Sequence, residues 1–361
     1  MKIAFLDSFY GGSHKNFLDG LIKYSKHEIK PFVLPARFWK WRMRSSAMYF
    51  ADQFSKEFRK FDLVVSTDMM NLAEFKALSG YSGPTIHFLH ENQLTYPLPG
   101  HDTYELHFGF INMASAMAAD LNLFNSNFQY REFFQELPNL INRIPEFFPI
   151  DAAEKIRNKS RVIYMGCDFT HFKNAKSPKN KTPIILWSHR WEFDKQPHVF
   201  FKALYTLAEQ GVDFKLIILG ENFQIHPKEF LEARERLSDR IIRYGFVESK
   251  EDYAHYLNLA DISLSTAKQE NFGFAIAEAM YCKTIPLLPN RLSYPELLEP
   301  RFHDRFLYND DIELVTKLRE LLNDYRSYDD VRRELSDSIA RFTWENRIDD
   351  FDKTFEEVAA K

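Results

Sequence analysis

"HFKNAKSPKNKTP", His171 to Pro183, is polar and basic, holds two prolines and shows no apolar period. That is the composition of a linker. It separates two series of short apolar runs, and helix-like amphipathic stretches lie between the runs. On the N-terminal side the runs are KIAFLDS (2–8), KPFVLPA (30–36), FDLVVSTD (61–68), PTIHFLHEN (84–92), ADLNLFNS (119–126) and SRVIYMGCD (160–168). Helical patterns such as Lys15 to Lys26, Ser45 to Lys60 and Leu106 to Ala119 separate them. On the C-terminal side the runs are PIILWSHR (183–190), FKLIILGE (214–221), IIRYGFV (241–247), DISLSTA (261–267), TIPLLPN (284–290) and RFLYN (305–309). Strand–helix alternation of this kind implies an α/β protein with parallel sheets covered on both faces. The expected organisation is a doubly wound domain over 1–172, a linker over 173–183 and a second doubly wound domain over 184–335. A helical end over 336–361 can pack back toward the first domain. Two such domains are expected to face each other across a cleft. Ligands should then bind outside the carboxyl ends of the strands.

Composition narrows the function. With 361 residues the chain exceeds what one core usually serves, and 45% apolar with 27% charged residues is a globular balance. A net charge of -4 excludes a protein that is basic throughout, so nucleic acid would have to meet a local patch. Cys167 and Cys282 lie far apart, match no metal or redox spacing, and fit a reducing, cytoplasmic compartment. The first apolar run breaks at Asp7, too early for a secretion signal. No run reaches the roughly 20 apolar residues of a membrane span. The expectation is a soluble protein with no membrane insertion and no protein partner.

The strand ends carry the chemistry. After the first strand, Gly11, Gly12 and Ser13 lead into a helix, and paired glycines let a backbone approach a phosphate. A tight strand-to-helix turn accounts for them equally well. After the fourth run come His90, Glu91, Asn92, Gln93 and Tyr96, a dense polar cluster where substrates should bind. Arg190 and Lys195 flank a loop that opens a helix, where two cations can neutralise a diphosphate. Gly220 and Glu221 form a further turn able to approach a ligand. KQENFGFAIAEAM, Lys268 to Met280, sets Glu270 in a loop and Glu278 inside the next helix. A carboxylate suits the vicinal diol of a sugar. The turn between them, Asn271, Phe272, Gly273 and Phe274, can leave amides free for phosphate. The ligand that satisfies these features is a sugar nucleotide.

ENFGFAIAE resembles the Glu-x7-Glu signature of retaining glycosyltransferases with the GT-B fold of two Rossmann-like domains. HRWEFDK is similar to their Arg/Lys diphosphate clamp, and GCDFTHF to their segment entering the linker. FYGGSHKNFLDGL, LPARFWKWRMR, LHENQLTYP, LWSHRWEFDKQP and LPNRLSYPEL narrow the resemblance to the tRNA-queuosine α-mannosyltransferase family, and the blocks span Phe9 to Leu297. Gln269 stands where the wider signature has a His, and Asn271 where it has a Phe. The resemblance implies transfer of mannose from GDP-mannose to the cyclopentenediol of queuosine in tRNA, with GDP-mannose as co-substrate and no cofactor. It implies catalytic roles for Arg190, Lys195, Glu270 and His90, and no metal.

The acceptor is expected at His14, at the Glu91–Tyr96 cluster and at Ala36 to Ser46. That last stretch carries Arg37, Lys40, Arg42 and Arg44 with no acid among them, interleaved with aromatics that include Trp39 and Trp41. Cations for phosphates and rings for unstacked bases suit a single-stranded anticodon. A structural loop whose tryptophans pack on the sheet is the competing reading. Two other functions stay open: transfer to a lipid or polysaccharide, and a non-catalytic sugar-nucleotide or RNA-binding module. The acids of "DFD", Asp350 and Asp352, read as a solvated helix face rather than a metal site.

Overall fold

A computed structural model describes residues 1–57, 61–97, 105–149, 151–172, 180–220 and 227–361. All twelve apolar runs form strands. The first six are β1 (Lys2–Tyr10), β2 (Glu28–Pro35), β3 (Leu63–Thr67), β4 (Thr85–Leu89), β5 (Leu121–Phe124) and β6 (Ser160–Val162). The others are β7 (Ile184–Trp187), β8 (Lys215–Ile218), β9 (Ile241–Tyr244), β10 (Ile262–Leu264), β11 (Ile285–Pro289) and β12 (Leu307–Tyr308). The chain divides into two compact units, Met1–Cys167 with Trp344–Lys361, and Asp168–Thr343. Of the expected linker, 173–179 lie outside the described residues, and 180–183 belong to the second unit.

Each unit holds one parallel six-stranded sheet, ordered β2-β1-β3-β4-β5-β6 in the first and β12-β11-β10-β7-β8-β9 in the second. Strands β3, β4, β5, β7, β10 and β11 are buried along their whole length, which is why they read as unbroken apolar runs. Strand order reverses between β1 and β3, and again between β7 and β10. Loops diverge at such a point and leave a crevice at the carboxyl ends of the strands.

The helix Trp344–Ala359 packs into the first unit. Its buried Trp344 lies against Phe17 and needs two glycines beneath it: a Cβ on Gly20 would stand 1.9 Å from the indole nitrogen, and one on Gly166 2.3 Å from the ring. Asp352 of this helix is not solvated as expected. It is buried and accepts hydrogen bonds from Ser25 Oγ (2.6 Å) and Lys26 N (3.1 Å), closing the end of the helix Gly12–Tyr24. Asp350 is exposed, as read from the sequence.

Candidate active site

In the second unit the loops after β7 and β10 are stitched together at the point of strand reversal. Thr266 Oγ1 donates to the carbonyls of Lys195 (2.8 Å) and Gln196 (3.1 Å), and Lys268 N to that of Asp194 (2.7 Å). These bonds bring together residues about 70 positions apart. Lys195 ends the short 3₁₀ turn Phe193–Lys195. Its Nζ donates to the Gln269 carbonyl at 2.5 Å and lies 3.4 Å from Glu270 and 3.3 Å from Asp194. Burial alone would lower the Lys195 pKa, but the Glu270 and Asp194 carboxylates outweigh it and raise it. The ammonium is therefore held charged. Arg190 is 41% exposed at its side chain and lies 3.3 Å from Glu192. Gly220 follows β8 with its backbone close against His189, and Glu221 lies outside the described residues.

The helix Phe274–Tyr281 begins at Gly273, whose φ of 102° is a left-handed conformation that glycine takes without strain. No side chain caps this helix, so its first amides are left for a ligand. Phe272 is buried against Phe274 and Phe342 and holds the turn from below. Asn271 is buried and accepts from Gln269 Nε2 at 3.3 Å. Glu278 accepts from the Tyr253 hydroxyl at 2.9 Å. Burial raises its carboxyl pKa to about 7, against the pull of the Tyr253 bond. One acid is thus paired with a cation and the other with a phenol.

In the first unit a buried polar network fills the carboxyl ends of the strands. His14 Nδ1 lies 3.2 Å from Asp7 Oδ1, to which Thr67 Oγ1 also donates at 3.3 Å. Asp68, just past β3, accepts from the amide of His90 at 2.7 Å. Burial raises the Asp68 pKa to about 6, against the His14 charge. The Asn125 amide group, past β5, donates to the His90 carbonyl at 2.9 Å. His90 stacks on His14 with ring centres 3.9 Å apart. Gly11 is the N-cap of the helix Gly12–Tyr24, which has no side-chain cap, and Ser13 lies in its first turn.

The expected Glu91–Tyr96 cluster is more structural than the sequence suggested. The Asn92 side-chain Oδ1 accepts from Leu94 N and Thr95 N (3.1 Å each), an Asx turn that shapes the loop. Gln93 donates to Glu91 at 3.1 Å, and its amide donates to Asn112 at 2.7 Å. Tyr96 is half-buried. Asp7, Asp68, Asn125 and Asp194 were missed. The first three stand at the end of an apolar strand run, and that position was the available signal.

The cationic stretch also departs from its reading. Trp39 to Arg44 open the helix Trp39–Ser55, which starts before the expected Ser45. Trp39 packs on Phe108 of the helix Leu106–Ala118 in a small core, so it is structural as the competing reading held, though on a helix rather than in a loop lying on the sheet. Lys40 and Arg44 both pair with Glu105, at 2.8 and 2.6 Å, and Arg44 also donates to His107 at 2.9 Å. Trp41 is 66% exposed. Arg37 is exposed, whereas Arg42 is half-buried and donates to the Pro35 carbonyl at 3.4 Å; burial, and then repulsion by Arg37, lowers the Arg42 pKa.

Comparison with known proteins joins these two halves. Residues 2–167 match the family "tRNA-queuosine alpha-mannosyltransferase N-terminal", and residues 168–337 match "Glycosyl transferases group 1". The tRNA-queuosine alpha-mannosyltransferase of Drosophila melanogaster is 35% identical over 328 residues, 88% of this chain and 85% of that one. The GDP-mannose:cellobiosyl-diphosphopolyprenol alpha-mannosyltransferase of Xanthomonas oryzae is 22% identical over 53% of this chain and 51% of its own. Among solved structures, the sucrose-phosphate synthase of Thermosynechococcus elongatus superposes with a TM-score of 0.75 at 14% identity, covering 100% of both chains. The two reversed-order sheets are thus the frame of a GT-B glycosyltransferase, and the chain belongs to the tRNA-queuosine α-mannosyltransferase family.

Proposed function

We propose that this enzyme transfers mannose from GDP-mannose to queuosine in tRNA, retaining the configuration of the sugar and using no metal. The observation that carries the reading is the buried, charged Lys195 beside Glu270, next to the uncapped helix that begins at Gly273. A fixed cation and free helix amides suit a leaving diphosphate, whose negative charge grows as the glycosidic bond breaks. Arg190 adds a second cation. Glu270 serves the hydroxyls of the transferred sugar, and Glu278 serves the ribose diol. A phosphate oxygen of the leaving group takes the acceptor proton. His90, His14 and the loop from Glu91 to Tyr96 hold the acceptor. The relatives from Drosophila and Xanthomonas bear names that support the acceptor and the donor respectively. Among the described residues no helix is long and apolar enough to cross a membrane. A tRNA acceptor supports a cytoplasmic reaction. The test is incubation with queuosine-containing and queuosine-lacking tRNA, using GDP-mannose and UDP sugars, followed by nucleoside mass spectrometry. A hexosylated nucleoside should form only with queuosine present and GDP-mannose supplied. Transfer to queuosine-lacking tRNA or from UDP sugars alone would refute the assignment.

Glu278 ties donor binding to pH. A carboxylate must be ionised to accept both ribose hydroxyls, and its folded pKa is about 7. GDP affinity should therefore fall by about tenfold per pH unit below 7. Glu278→Gln should remove that dependence and bind GDP weakly throughout, as calorimetry at pH 6 and 8 would read.

At the acceptor patch, Lys40 and Arg44 already share Glu105 as an ion-pair partner, so the tRNA contacts are assigned first to Arg37, Trp41 and Arg42. Arg37→Gln with Arg42→Gln should weaken tRNA binding and flatten its salt dependence by about one unit of slope per lost phosphate contact. A double variant with parental affinity and slope would move the acceptor elsewhere.

A further inference from the structure

Two buried imidazoles face each other at the carboxyl ends of β1 and β4, and their surroundings differ. His14 has Asp7 at its Nδ1, with Asp68 and Glu91 adding negative charge around it. Burial would lower its pKa, but Asp7 and then these two acids outweigh it and raise it to about 9. At His90, burial followed by the His14 charge pushes the pKa well down. At neutral pH the stack therefore holds one imidazolium and one neutral imidazole. Its geometry is tightly set. The rings are 3.9 Å apart at 27°, and His90 is held edge-on by Phe17 (5.1 Å) and Phe88 (4.8 Å). Asp7 is itself fixed, taking the amide of Phe9 at 2.9 Å and the Thr67 hydroxyl on the same oxygen that faces His14. That oxygen is fully engaged, so the proton between the pair belongs on His14. The other His14 nitrogen, Nε2, bonds nothing among the described residues.

We propose that Asp7 is a positioning residue that holds His14 as a charged hydrogen-bond donor stacked on His90, so that the pair offers the substrate one charged and one neutral imidazole. Nothing in the sequence motifs marks Asp7 for this role. The charged Nε2–H of His14 donates to a substrate oxygen, and the uncharged ring of His90 remains able to accept a hydrogen bond from a substrate hydroxyl. A His⁺ in the first turn of a helix opposes the helix dipole, which Asp7 offsets. The proposal rests on the glycosyl-transfer reading above.

Asp7→Asn tests it. His14 should titrate near 9 in the parent by NMR of its ring and far lower in the variant, where burial is no longer offset by Asp7. Turnover of the variant with GDP-mannose and queuosine tRNA should be lower by about thirtyfold or more at pH 8, the ratio of the protonated fractions for a variant value at or below the ordinary 6.5, and the gap should narrow as pH falls. A merely structural Asp7 would not restore activity in acid. If His14 in the variant titrates lower but the pH profile does not move, the positioning role is wrong. Should Asp7→Asn fail to fold, the parent decides: His14 titrating at or below 6.5 overturns the proposal. A parent that shows the His14 value but no turnover on these substrates would fault the substrate reading, and the NMR result would still stand.

Discussion

Arg190→Ala and Lys195→Ala should each lower turnover by about a hundredfold or more, the usual loss for one preorganised donor to developing charge, but their stabilities should part company. Arg190 is partly exposed and its one described ion pair, with Glu192, is local, so its removal leaves unfolding almost unchanged. Lys195 is different. It separates Asp194, which is fully buried, from Glu270, and it also satisfies the Gln269 carbonyl. Deleting it leaves two carboxylates in one site without their cation, a loss of about 3–5 kcal/mol. Urea melts beside turnover assays distinguish the two. Normal turnover in Arg190→Ala, with donor still bound, would remove Arg190 from the clamp. Equal stability of both variants would mean that Lys195 is less integral to the loop than its contacts imply.

Arg332→Ala should cost the second unit about 3–5 kcal/mol without touching the chemistry. The Arg332 side chain is 1% exposed and its guanidinium donates to the carbonyls of Asp261 (2.8 Å), Lys283 (3.0 Å) and Tyr325 (3.2 Å) and to the Asp261 carboxylate (3.2 Å). It thereby fastens the helix Asp329–Ile339 to the starts of β10 and β11. Alanine would strand a buried carboxylate. Burial already raises the Asp261 pKa, against the pull of Asn180, the Ile184 amide and Arg332. With Arg332 gone the folded pKa rises further. A raised acid pKa costs stability above the unfolded value, so the deficit should shrink as pH falls and Asp261 protonates. Arg332→Met with Asp261→Asn should recover much of the loss, since neither charge is then buried. A deficit independent of pH, or no deficit at all in denaturant melts, would refute the account.

The buried pair was not legible in the sequence, and the reason is general to this protein. Local pattern was sufficient for the twelve strands, because a strand covered on both faces must be an apolar run wherever it occurs in the chain. It was also sufficient for the loops at strand ends, and Arg190, Lys195, Glu270 and His90 all lie on such loops. What the pattern could not supply was which side chains neutralise one another. Lys40 and Arg44 looked free because no acid stands between Ala36 and Ser46, yet Glu105 reaches them from about 60 residues away. Asp352 looked solvated on a helix with charged neighbours, yet docking on the helix Gly12–Tyr24 buries it over Ser25. Asp7 looked like the end of an apolar run, yet a turn of helix returns His14 to its carboxylate. Asn92 looked like a ligand-binding amide, and the structure shows its side-chain oxygen folded back to shape its own loop. Periodicity reports which face of an element is buried, so the sequence by itself determined the α/β architecture and the strand-end loops on which the candidate residues lie. Charge pairing depends on distances across elements that meet only after packing, so the tertiary structure alone decided which of those residues are held, which are cancelled and which are left to meet a ligand.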